Sequence, residues 1–257
     1  MEVLRMSDRD VTGLNKMFVL FFLISLMPMS GYAAGNESGN SFSQAKKQMP
    51  NVYAENHMTF YAGCSYAKGG HVDFKSCGYK PRKNEKRGRK IEWEHIVPAW
   101  AFGHALGCWQ NKVCTSSKGK PYAGRKCCSK LDATFRAMES DMHNLVPAIG
   151  ELNGDRSNFR YGMITGEARN YGQVDFEVDF KQRVAEPQDN IHGDIARTYF
   201  YMQQTYGLHI SKRQKRLFAI WNKEDPVDKR EIERNQKIMA IQGNSNPFVG
   251  LFSASVK

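Results

Sequence analysis

The chain has 257 residues, 41% apolar and 25% charged, with 37 lysines and arginines against 26 acids for a net charge of +11. That is the balance of globular material, enough for one large domain or two small ones, and it excludes an internal membrane span, which needs about 20 successive apolar residues. The positive excess points to a polyanionic partner, because cationic surface attracts phosphates; a surface charged only for solubility has the same composition.

Near the N-terminus, Phe18 to Met27 (FVLFFLISLM) is an unbroken apolar run, preceded by Lys16 and followed by small residues around Gly31 to Ala34. A basic residue, a short apolar stretch and a small-residue cleavage site read as a secretory signal over 1–33. Within it Arg5, Arg9 and Lys16 balance Glu2, Asp8 and Asp10, so the exported part keeps the whole positive excess. Export leaves no stable membrane association and gives a periplasmic or secreted protein. The polar, Gly- and Ser-rich stretch that follows predicts a flexible N-terminus over 34–52, and one domain then fills 53–257.

The six cysteines are Cys64, Cys77, Cys108, Cys114, Cys127 and Cys128, an even count that in an exported chain predicts disulfides. Cys64 with Cys77 is the expected local pair, and the pairing of the other four stays open. Zinc is the rival, but there is no C-x-x-C, and adjacent Cys127 and Cys128 suit a tetrahedral site poorly.

Lys80 to Lys90 forms a basic loop with seven positive charges and one negative. There Arg82, Lys83, Lys86 and Arg87 are candidates for phosphate contacts without base specificity. From Arg89 to His95 apolar Ile91 and Trp93 alternate with charged residues, the signal of a half-buried strand, and Pro98 stops it. Leu131, Phe135, Met138 and Met142 fall on one helical stripe. Gly150 to Asn158 reads as a short helix or tight loop. Ile195, Tyr199, Met202 and Tyr206 make a second stripe ended by Gly207. Ser211 caps a further helix with Leu217, Ile220 and Trp221 facing inward, ended by Pro226, and a last helix runs from Asp228 to Gly243. Strands first and helices after give an α+β fold. His71, His104, His192 and His209 are expected to be surface or structural, and Tyr199 to Tyr201 core residues.

Chemistry concentrates in two segments. Phosphodiester hydrolysis needs a base for water, which suits His95 with its near-neutral pKa. It also needs positive charge at phosphorus, which a hard cation on a carboxylate such as Glu94 supplies. Strand neighbours point to opposite faces, so joint action of Glu94 and His95 requires the strand to end or bend there. The second segment, Met142 to Ala148 followed by Gly150 to Arg156, crowds amides, acids and an arginine around an apolar centre, which is costly to bury without a use.

Glu94 and His95 within IEWEHIVPAWAFG, DMHNLVPAIGELNGDRSNF, AEP, IARTYFYM (Ile195 to Met202), LFAIWNKEDPVD (Leu217 to Asp228) and QGNSNPF (Gln242 to Phe248) closely resemble the bacterial endonuclease I family, over about Tyr61 to Phe248. The resemblance implies a ββα-metal (His-Me finger) core with added, mainly C-terminal helices. It implies Mg²⁺-dependent, sequence-nonspecific cleavage of DNA, with RNA as an open alternative, to 5′-phosphate ends by a monomer, with Mn²⁺ or Ca²⁺ as substitute ions. His95 matches the general base, and Glu94 and Asn153 the ligands of a single metal ion. Asn144 competes with Asn153 for the amide role, and both it and His143 are otherwise supporting residues. The family's arginine shortly before a cysteine has no counterpart in Asn111-Lys112-Val113-Cys114; Lys112 stands in for it, or Arg125 or Arg156 reaches in. A basic binder without catalysis is the reading from another class.

Overall fold

The structure is a computed structural model that describes residues 35–36, 38–166 and 168–250. The expected signal segment lies outside the described residues. The described part forms one unit around a single main core.

Its elements, in chain order, are α1 (Phe42–Val52), α2 (Glu85–Gly88), β1 (Ile91–His95), α3 (Ala99–Gly103), α4 (Gly107–Gln110), β2 (Cys114–Thr115) and β3 (Pro121–Tyr122). Next come α5 (Arg125–Leu131), α6 (Ala133–Ser140), β4 (Leu145–Ile149), α7 (Gly150–Arg156), β5 (Arg160–Tyr161), β6 (Phe176–Asp179) and β7 (Val184–Pro187). Three longer helices close the chain: α8 (His192–Tyr206), α9 (Lys212–Glu224) and α10 (Lys229–Gln242). The fold is α+β. β1 and β4 pair antiparallel, with Glu94 opposite Val146 and His95 opposite Leu145. A second small ladder joins β2 to β3, and in a three-stranded sheet β7 lies between parallel β5 and antiparallel β6.

The flexible N-terminus expected over 34–52 is corrected by α1. Ser41 and Gln44 form a reciprocal capping box, and Ala45, Met49 and Val52 are buried at helical spacing beneath an otherwise polar surface. Even the segment before it is tied down: Asn36 donates to Ser140 Oγ at 2.9 Å, and its backbone N–H donates to Tyr206 Oη at 2.7 Å.

The stripe from Leu131 to Met142 does not run on one helix. Asp132 ends α5 and caps α6 with its side chain, so Leu131 is 60% exposed while Phe135, Met138 and Met142 are buried. In α9 the inward residues are Phe218 and Trp221, with Leu217 half-buried against the same core, whereas Ile220 is 52% exposed; Trp221 stacks on His192 with ring centroids 3.8 Å apart. α8 ends at Gly207 in the left-handed conformation, and Asp228 and Gly243 cap α10 as the sequence predicts. Tyr199 and Tyr201 are core residues, and no helix among the described residues is long and apolar enough to cross a membrane.

All six cysteines are paired, as Cys64–Cys77, Cys108–Cys128 and Cys114–Cys127. The zinc alternative is thereby removed. The adjacent cysteines of α5 anchor two points of the preceding loop, and Arg125, the first residue of α5, emerges beside them.

Candidate active site

β4, paired antiparallel with β1, passes directly into α7, which packs on β1. Alternation along β1 turns Glu92 and Glu94 to the α7 side. Asn153 and Arg156, three residues apart and so on one face of α7, meet them in order. Asn153 Nδ2 donates to Glu92 Oε2 at 2.8 Å, and Arg156 Nη1 donates to Glu94 Oε1 at 3.0 Å. At Gly154 the Arg87 guanidinium lies close over the helix, and a Cβ there would make Arg87 shift. Arg87 in turn pairs with Glu92.

Glu94 is buried. Its Oε1 accepts from Arg156 and from the Tyr61 hydroxyl at 3.2 Å, and neither bond uses Oε2. Burial pushes its carboxyl up to about 7, against the opposing pull of Arg156 and Tyr61. Asn153 spends its amide N–H on Glu92, which leaves its Oδ1 as an acceptor near the same strand face. A carboxylate and an amide oxygen suit a hard divalent ion that keeps most of its water. The described residues hold no group of three or more His, Cys, Asp or Glu placed for a metal, so a transition-metal cage is not built here.

His95 faces the other side of β1. Its Nε2–H donates to the Glu139 carbonyl at 2.8 Å, which leaves Nδ1 with a lone pair. Burial lowers the imidazole to about 3, and the Arg125 charge adds to the effect, so the ring is neutral near pH 7. Of the two arrangements expected for Glu94 and His95, the strand ends there rather than bends: β1 stops at His95, and both residues keep regular register with β4. They are linked at the strand end: Arg156 Nη1 bridges Glu94 and the His95 carbonyl, at 2.9 Å from the latter, while Nη2 donates to the Ile96 carbonyl.

Arg125 reaches the His95 side. Its Nε donates to Glu139 Oε1, and Ser129 Oγ donates to Glu139 Oε2 at 2.6 Å. Glu139 therefore steadies His95 through its backbone and Arg125 through its carboxylate. Arg125 Nη2 is buried and has no hydrogen-bond partner among the described residues.

Several expectations change. Arg156, expected as a catalytic candidate, is fully buried: its Nη atoms donate to Glu94 and to two carbonyls and its guanidinium lies over the Tyr161 ring, while Nε has no hydrogen-bond partner among the described residues. Lys112 is exposed between α4 and β2, and no described contact ties it to His95, Glu94 or Asn153. Asn144 is not a ligand: its Oδ1 accepts from Val97 N at 2.7 Å and its Nδ2 donates to Val97 O at 3.0 Å, fixing the chain just after His95. His143 is buried against Tyr201, its Nε2–H donating to the Asn244 carbonyl at 3.0 Å. In the basic loop Arg82 pairs with Asp155 and Arg87 with Glu92, so their charge is partly offset within the protein, although Arg87 stays exposed. Lys83 and Lys86 remain exposed. Glu139, whose only sequence signal is an acid inside an apolar helical stripe, is the residue that sequence reasoning missed.

Residues 31–251 match the profile of the Endonuclease I family. The chain is 46% identical over 213 residues to an extracellular deoxyribonuclease of Aeromonas hydrophila, covering 81% of this chain and 87% of that protein. It is 45% identical over 217 residues to a periplasmic deoxyribonuclease of the same organism, covering 83% and 86%. An Endonuclease-1 of Buchnera aphidicola is 45% identical over 212 residues, covering 81% and 80%. Fold and similarity together define a nuclease that cuts within the strand. The chain belongs to the Endonuclease I family.

Proposed function

We propose that this endonuclease is an exported, sequence-nonspecific deoxyribonuclease, acting as a monomer, whose β1–β4–α7 unit is a ββα-metal core. Its relatives are named as extracellular and periplasmic DNA-cleaving enzymes, and three disulfides suit an oxidising compartment outside the cytoplasm.

The observation that carries the reading is the fixed tautomer of His95. The Glu139 carbonyl holds the proton on Nε2, so Nδ1 is available to take a proton from water as its oxygen attacks phosphorus. Arg125, rather than Lys112, supplies an unpartnered guanidinium N–H for the charge that builds on the phosphoryl oxygens. Departure of the 3′ oxygen leaves a 5′-phosphate end. A single Mg²⁺, with Mn²⁺ or Ca²⁺ as substitutes, would be held by Glu94 and Asn153 and would supply Lewis-acid neutralisation of the phosphate. Lys83 and Lys86, exposed and without an ion pair among the described residues, are cations of the basic loop for backbone contacts without base selection.

The test is cleavage of supercoiled plasmid with Mg²⁺ and then with chelator. His95→Ala should lose several orders of magnitude in kcat while still binding DNA. A His95→Ala variant that cuts at the wild-type rate contradicts the assignment of the base.

A further inference from the structure

Helix α1 has no part in the chemistry so far, yet it covers the His95 side of β1. The capping box of Ser41 and Gln44 sets Phe42 as the first helical residue. The Phe42 ring centroid lies 4.7 Å from that of His95. Arg125 Cζ stands 4.8 Å from the same ring and Lys46 Nζ 4.6 Å from it. One aromatic ring therefore touches the imidazole and two cations.

The charges around that ring do not balance. Glu139 answers Arg125, but Lys46 is exposed and makes no ion pair among the described residues. The Arg125 Nη2 group is buried with no acceptor among those residues. Two cations against one ring repel each other unless an anion lies between or beside them. An anion bound close to His95, on the side where Lys46 meets solvent, would answer both cations.

We propose that the first two turns of α1 belong to the active site: Phe42 is a positioning residue that seats His95 and Arg125, and Lys46 binds a phosphate of the substrate strand flanking the one cleaved. This rests on the nuclease reading of His95. Phe42 works by shape and by its π face. Removing the ring lets the imidazole tilt on its single hydrogen bond and frees the guanidinium to swing, and small misplacements of reacting groups cost rate steeply. Lys46 works as a point charge. Its contribution is screened by salt and indifferent to base sequence.

The experiment is steady-state cleavage of a fluorescent single-stranded oligonucleotide by the full exported chain with Mg²⁺, over a salt series well below the unfolding transition. Phe42→Leu keeps an apolar side chain under α1 and should lower kcat about 10-fold with little change in KM; Phe42→Tyr should restore most of it. Lys46→Gln should raise KM several-fold, with a much smaller effect on kcat, and reduce the slope of log kcat/KM against log salt by about 0.7, the value for one contact on a single strand. Wild-type kcat in Phe42→Leu, or a loss that Phe42→Tyr does not restore, overturns the positioning role. An unchanged KM and salt slope in Lys46→Gln overturns the phosphate contact. His95→Ala in the same assay separates the two levels: if it stays active the underlying reading has failed, and if it is inactive the results for α1 stand on their own.

Discussion

Arg156→Met tests whether the arginine braces the site or acts on substrate. The side chain is fully buried, donates to Glu94 and to the carbonyls of His95 and Ile96, and lies 4.5 Å from the Tyr161 ring centroid. Methionine keeps much of the volume and removes the charge, leaving the Glu94 carboxylate buried without its cation. Breaking one side of a buried pair costs about 3–5 kcal/mol. With a urea m-value of roughly 2–3 kcal/mol/M, that moves the unfolding midpoint down by about 1–2.5 M. Glu94→Gln in the Arg156→Met background removes the stranded acid, so the double variant should be more stable than the sum of the single changes predicts. Urea unfolding followed by tryptophan fluorescence and circular dichroism, with the disulfides intact, gives all the values. A loss under about 1 kcal/mol, together with a 10²- to 10³-fold fall in kcat, would refute the bracing role and return Arg156 to the phosphate.

Glu94 makes metal-free stability depend on pH. Its carboxyl lies at about 7 in the fold against an ordinary 4.5, so the folded chain holds the proton more tightly than the unfolded one. The associated stability is present below 4.5 and lost as pH rises through 7, by up to about 3 kcal/mol. In thermal melts with chelator, Tm should fall across that window, Glu94→Gln should flatten the fall, and Mg²⁺ should raise Tm more at pH 8 than at pH 5. Arg125→Ala should cost about 10²-fold or more in kcat and Arg125→Lys should recover only part, whereas Lys112→Ala should stay near wild type in the plasmid assay. Replacing Cys114 and Cys127 by serine opens a loop that closes 13 residues apart. It should cost about 3 kcal/mol in urea unfolding and lower kcat, because Arg125 emerges from that clamp.

The strand that carries the site was legible because Ile91 to His95 alternates and Pro98 ends it, and α7 because polar amides and acids gather after an apolar run. The capping signal Ser41-x-x-Gln44 was also present, but the polar composition around it concealed the buried stripe of Ala45, Met49 and Val52. What local pattern could not convey was long-range pairing. Arg82 and Arg87 look like phosphate ligands until Asp155, 73 residues from Arg82, and Glu92 partly offset their charge. Arg156 looks catalytic until its burial against Glu94 is visible. Arg125 gained its place only from two disulfides and from Glu139, contacts whose partners are chosen by the fold.

The claim that a carboxylate and an amide from β1 and α7 hold one ion is tested most directly by a Mn²⁺-soaked crystal measured at the manganese edge. One anomalous peak beside the Glu94 carboxylate and the Asn153 amide, abolished in Glu94→Gln crystals, is the predicted result. A peak elsewhere on the molecule, or none in crystals of protein that cleaves DNA with Mn²⁺, would contradict it.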